Sequence, residues 1–192
     1  MLSGNLEYLI SSLPHLQFTN VTKHRNRVHG LFKAYTLNEE TSSLISILNR
    51  EAAKYLSAEK TRLFNEIKLD TIHSSEFQNS KYRVLSGFSK FSLRLKTQLK
   101  SLRDSRKEPP EMANTRINTI VLEDANPLEQ EILIMYFKWQ ELEQLAMGHY
   151  SDFEALIAYK IKLLLMVRQW RFNEKIGYEK YLDLIKTRDD GQ

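Results

Sequence analysis

The stretch from Asn126 to Arg171 constrains the fold of this chain more than any other. Asn126-Pro127-Leu128-Glu129 combines an N-cap residue, a proline at the first helical position and a glutamate at the third. Behind it Leu128, Ile132, Met135, Trp139, Leu142 and Ala146 recur at steps of 4, 3, 4, 3 and 4. That spacing predicts an amphipathic helix, and Leu133, Tyr136 and Phe137 widen its apolar stripe to the breadth a core-facing helix needs. The pattern stops near Gly148. Ser151-Asp152-Phe153-Glu154 then reads as a second capping box, of the S-x-x-E type. The helix it opens, about 152–172, is apolar nearly all round between Leu163 and Val167, so it is expected to be the central buried helix. Gly177 marks a break, Tyr178 to Ile185 form a last short helix, and residues 188–192 fray.

Upstream the helical pattern continues with interruptions. Leu6, Leu9, Ile10 and Leu13 share one helical face ahead of Pro14, although the adjacent Tyr8, Leu9 and Ile10 also suit a strand. Residues 15–37 are basic and aromatic without a clean period and read as loop or extended chain. Asn38, followed by Glu39 and Glu40, can cap a helix whose stripe runs 44, 45, 48, 52, 55 and 56. Ser57 can cap the next, near 58–70, with Leu63, Phe64 and Ile67 on its face. A third helix is expected from about Ser75 to Arg103, with Val84, Phe88, Phe91, Leu95, Leu99 and Leu102 as its stripe. Gly87 inside it costs about 1 kcal/mol against alanine. Residues 104–118 hold Pro109-Pro110 and read as a linker, and 117–122 have the β-branched character of an extended segment.

Composition agrees. Six glycines and four prolines in 192 residues are few turn signals for an all-β fold. The predicted class is all-α, an antiparallel helical bundle with room for two helical modules. The divisions are an N-terminal helical region over residues 1–103, a linker or extended segment 104–125, a C-terminal hairpin with an end helix 126–187, and the tail 188–192. No segment has the ~20 apolar residues of a membrane span, and the N-terminus lacks the basic region of a secretory signal, so a cytoplasmic location is expected.

The absence of cysteine excludes disulfide scaffolds, thiolate metal sites and a cysteine nucleophile. Scattered single glycines leave little material for a phosphate cradle, and no P-loop, dinucleotide or nucleophile-elbow motif is present. His149, Asp152 and Glu154 cluster in sequence, but two acids two residues apart on a helix point away from each other, so they do not converge on a metal. Glu141 and Glu143 fail as a catalytic pair for the same reason. His24 and His29 lie in a basic stretch without a carboxylate. Trp139 and Trp170 read as core residues. No catalytic, metal or cofactor residue is assigned.

The net charge of +4 conceals a separation. Between Lys81 and Lys107 stand nine Lys or Arg against one acid, Asp104, while from Glu123 to Glu154 eight acids face one lysine, Lys138. The basic helix is a candidate partner-binding face, with Lys90, Arg94, Lys96, Lys100 and Arg103 as its residues and Tyr8 as an apolar candidate. Its alternatives are a solvated face, or an intramolecular match to the acidic segment. A nucleic-acid-binding helical protein using 81–107 is the rival function.

The order EYLISSLPHLQF, then NPLEQEILIMYFKWQELEQLA, GHYSDFEALIAYKIKLLLMVRQW and IGYEKYLDLI, resembles the small bacterial proteins encoded with V/A-type ATPase (ATP synthase) subunits. More distantly, DFEALIAYKIKLLLMVR is similar to the helical C subunit of those machines, called d in eukaryotes, which sits on the membrane rotor ring and sockets the central stalk. The likeness covers about the first 18 residues and residues 126–185. It implies a non-catalytic accessory or central-stalk subunit of a rotary complex for ion transport, partnered by other ATPase subunits. It implies no cofactor and no small-molecule substrate, and a place at the inner face of the membrane held through the complex. A chain of 192 residues suits a single module better than the full three-module funnel.

Overall fold

Helix caps and stripes of the kind just described place nearly every element. The computed structural model describes residues 6–35, 43–105 and 126–172, the side chains of 102, 103 and 105 excepted. All regular structure among them is helical: α1 (Leu6–Ser12), α2 (Thr22–Lys33), α3 (Leu44–Ala53), α4 (Ala58–Glu66), α5 (Ser75–Gln78), α6 (Arg83–Ser105), α7 (Pro127–Leu145) and α8 (Phe153–Trp170). The expected all-α bundle is what forms. α6 runs to Ser105, so the first two residues of the expected linker are helical; the rest of the linker, the extended segment at 117–122, the end helix at 178–185, the tail and Asn38 lie outside the described residues.

α8 is the axis. Ile157, Ile161, Leu163, Leu165 and Met166 are buried along it, and α1, α3, α6 and α7 all pack on it. α7 begins at the predicted capping box: Asn126 Oδ1 accepts from the Glu129 N–H at 2.9 Å, and Glu129 Oε2 accepts from the Asn126 N–H at 3.0 Å. α6 and α7 run antiparallel, since Gly87 meets Leu145 at one end and Leu95 packs with Ile134 further along. α7 and α8 form the expected hairpin, turning at Gly148 with φ +89°, a conformation that favours glycine. Residues from α1 to α6 and from α7 and α8 share one principal core, so the two sides of the linker are not separate hydrophobic units.

Several expectations need correction. The basic segment 15–37 is not loop throughout, for Thr22–Lys33 is helical. Only Val28 and Phe32, one turn apart, are buried in it, and its N-cap, Val21, makes no side-chain cap. A helix with so narrow an apolar edge and no cap leaves almost no periodic signal. The helix foreseen over 75–103 is two. α5 ends at Gln78, and α6 restarts at Arg83, where Glu154 of α8, 70 residues away, accepts from the Val84 N–H at 2.5 Å. α3 is capped by Ser43, whose side chain accepts from the Ser46 N–H. Ser57 caps α4 as foreseen, but α4 ends at Glu66, short of 70. At α8 the cap is Asp152, not Ser151, accepting from the Ala155 N–H at 2.8 Å. Leu128, placed on the α7 stripe, is 41% exposed.

The N-terminal segment is tied to α8 by polar contacts as well as packing. The Tyr159 hydroxyl donates to the Pro14 carbonyl at 2.8 Å, and the Trp170 indole N–H donates to the Thr19 carbonyl at 3.1 Å. The partly buried Tyr159 and the buried Trp170 thereby satisfy their polar ends.

Candidate functional site

The α6 surface separates the predicted binding residues into three groups. Lys90, Arg94 and Lys100 are exposed and share the outer face of the helix with Leu93, 37% exposed. None of the three makes an ion pair or hydrogen bond among the described residues. Lys96 is turned aside, its ammonium 2.9 Å from His73 Nε2. The Arg103 side chain lies outside the described residues. Tyr8 is 68% exposed on α1, and no hydrogen bond, ion pair or ring contact among the described residues joins it to α6.

Among the described residues the acidic segment does not neutralise that face. Four of its carboxylates are engaged elsewhere: Glu131 pairs with Arg168 of α8 at 2.7 Å, Glu143 pairs with Lys162 of α8 at 2.7 Å, Glu129 closes its own capping box, and Glu154 caps α6. No ion pair among the described residues joins α6 to α7. The intramolecular match between the two charged segments is therefore absent there. The two helices pair by apolar contact, and two of the α7 acids, Glu131 and Glu143, find their cations on α8.

His149, Asp152 and Glu154 diverge. His149 Nδ1 sits 2.5 Å from Asp152 Oδ2, whereas Glu154 points to α6. Burial pushes the Asp152 pKa up, but the hydrogen bonds from His149 and the Ala155 N–H outweigh it and leave the carboxyl below its ordinary value. His24 and His29 stand on α2, and burial first, then neighbouring arginines, lowers the pKa of both. Among the described residues no three of His, Asp and Glu are grouped to hold a metal ion.

Two features escaped the sequence. The first is Lys160 on α8, which is fully buried. Its ammonium donates to the Phe64 carbonyl and lies 4.4 Å from the Phe64 ring centroid. Burial, aided by Lys68, pushes its pKa down to about 7. In the sequence it reads as an interruption of an apolar run. The second is a cleft of about 270 Å³ between α6, α7 and α8, lined by Ser92, Lys96, Lys138 and Arg168 among aliphatic residues. Lys138 was legible only as the lone cation of an acidic segment. Its position four residues after Ile134 and three after Met135 puts it at the edge of the buried stripe.

Comparison of the chain with protein-family models, with curated proteins and with solved structures finds no match. No helix among the described residues is long and apolar enough to cross a membrane.

Proposed function

We propose that this chain is a non-catalytic helical docking subunit that binds an acidic protein surface through Lys90, Arg94 and Lys100 of α6. The observation that carries the reading is that these three cations share one exposed face and have no acid partner among the described residues, although α7, the neighbour with the acids, is packed beside them. An exposed row of one sign steers association with a complementary surface and sets register more than it adds affinity. The long α6, clamped between α5, α7 and α8, suits a rigid strut that transmits position or torque.

The likeness of the N-terminal segment and of residues 126–185 to proteins encoded with V/A-type ATPase subunits supports one partner class, a subunit of that rotary complex at the central stalk or membrane ring. On this reading the protein works in the cytoplasm, at the inner face of the membrane, and belongs to an ion-transporting assembly without catalysing its chemistry.

The test is purification of the endogenous protein in mild detergent with mass spectrometry of what accompanies it, repeated with Lys90→Glu, Arg94→Glu and Lys100→Glu combined. ATPase subunits should copurify with the native chain and be lost with the variant. Absence of every ATPase subunit across several conditions sinks the proposal. So does duplex DNA binding that depends on the same three residues and falls steeply with salt.

A further inference from the structure

The cleft between α6, α7 and α8 contains unmet donors and aliphatic walls. Leu95 and Leu99 of α6, Ile134 and Met135 of α7 and Leu165 of α8 supply the apolar lining. Ser92 of α6 is 5% exposed, and its hydroxyl oxygen is buried with no hydrogen-bond partner among the described residues. Lys138 of α7, half-buried, makes no hydrogen bond or ion pair among the described residues. Of the other charged groups lining the cleft, Glu131, Arg168 and Lys96 are engaged among the described residues and Asp70 is not. Glu131 is taken by Arg168 at 2.7 Å, the Lys96 ammonium is engaged by His73 at 2.9 Å, and Asp70 is exposed and makes no ion pair among the described residues.

Both unmet groups lack the same thing, an acceptor. A buried hydroxyl is satisfied by any acceptor, but a partly desolvated ammonium needs negative charge. We propose that this cleft binds a small organic anion with an apolar body, a medium-chain carboxylate, held at its oxyanion by Lys138 and Ser92 and along its chain by Leu95, Ile134 and Leu165. Arg168 and Lys96 add positive potential around it. A cleft of about 270 Å³ lies near the lower end of small-molecule pockets, about 300–1,000 Å³, and suits a short amphiphile. The free state of Lys138 fits such a ligand. Burial pushes its pKa down and Arg168 acts in the same direction, while Glu131 and Asp70 oppose without restoring it. A bound carboxylate supplies the direct ion-pair partner that Glu131, held by Arg168, and Asp70 do not provide.

The experiment is calorimetric titration of the full chain with sodium octanoate, with octylammonium and inorganic phosphate as comparison probes. Octanoate should bind one site saturably. Lys138→Met should weaken it at least tenfold, Lys138→Arg should recover most of that loss, and Ser92→Ala should weaken it about threefold. Because Ser92 makes no bond in the free protein, Ser92→Ala should leave the Tm of the unliganded chain unchanged or higher, which keeps the test open should Lys138→Met fold poorly. Lys90→Glu, Arg94→Glu and Lys100→Glu combined should leave octanoate binding intact, separating this site from the docking face. The proposal is overturned by no saturable octanoate binding, by equal affinity in Lys138→Met and the native chain, or by phosphate or octylammonium binding as tightly as octanoate.

Discussion

The Lys160 ammonium lies over the ring of Phe64 and donates to the carbonyl of the same residue, so one amino acid on α4 supplies both of its described polar contacts. The Phe64 carbonyl also accepts from the Ile67 N–H at 3.3 Å, closing the end of α4. The lysine thus ties α8 to the α4 C-terminus, where a cation is favoured by the helix dipole. It is held at a cost, because its pKa falls from 10.5 to about 7.

That cost fixes the sign of a pH dependence. Between pH 7 and 10.5 the unfolded chain holds the Lys160 proton and the folded chain has lost it, so stability rises with pH across this window. Below pH 7 both states hold the proton and the penalty is complete. Lys160→Met should therefore stabilise most below pH 7, by an amount on the order of a few kcal/mol at about 1.4 kcal/mol per pKa unit. The advantage should shrink as pH approaches 10.5. Urea midpoints of both proteins from pH 6 to 10 check it, and two curves that stay parallel refute it.

Glu154 joins two helices that are distant in sequence. Its Oε2 accepts the Val84 N–H at 2.5 Å, in a part-buried contact beside the fully buried Val84 side chain. Glu154→Ala should cost about 1–2 kcal/mol, the size of a lost cap with a stranded donor. Glu154→Gln keeps an acceptor without the charge and should cost less. Chemical denaturation measures both, and an alanine variant as stable as the native chain would remove this contact from the account of why α6 begins at Arg83.

At Gly87 a Cβ would stand 2.7 Å from Leu145 Cδ2, so this glycine marks the close approach of α6 to α7. Gly87→Ala gains helix propensity of about 1 kcal/mol, and the leucine must rotate to admit the methyl, at about 0.5–1.5 kcal/mol. The net change should fall within about 1 kcal/mol of zero. In a Leu145→Ala background the obstruction is gone and the same substitution should stabilise by about 1 kcal/mol. A double-mutant cycle exposes the coupling, and additive effects would show that the two helices do not press at this point.

Locally encoded features were legible in the sequence. The capping box Asn126–Glu129, the Ser57 cap and the apolar run of α8 each depend on residues a few positions apart, and each stands where the spacing puts it. Features that depend on tertiary contact were not. The interruption between α5 and α6 is hidden because Phe77 and Val84 are seven residues apart and keep helical phase across it. Lys160 resembles a solvent-facing residue until Phe64 is packed against it. Of the predicted binding residues, Lys90, Arg94 and Lys100 emerged together because consecutive turns of one helix fix their common face. Lys96 left them because His73, from another element, claimed it.

α2 is the clearest case of a helix made by its surroundings, and it yields the last prediction. It has no acid in its first turn and no side-chain cap, and it carries Lys23, Arg25, Arg27 and Lys33. Isolated, twelve such residues do not hold a helix in water. What holds them is burial of Val28 and Phe32, together with Trp170 at the end of α8. The Arg25 guanidinium lies 5.8 Å from the Trp170 ring centroid and the His29 ring 5.6 Å from it, while the indole N–H fixes the preceding stretch of chain at Thr19. Trp170→Phe keeps an aromatic surface but loses the hydrogen bond and part of the cation–π attraction, a deficit of about 1–2 kcal/mol. That loss should fall on α2 before the rest of the fold. Amides of residues 25–33 should exchange with solvent roughly tenfold faster in the variant, as about 1.4 kcal/mol of local stability implies. Those of α8 between Leu156 and Met166 should keep their native rates. Hydrogen exchange read by mass spectrometry distinguishes the cases, and uniform acceleration across both helices would mean that α2 unfolds only with the whole chain.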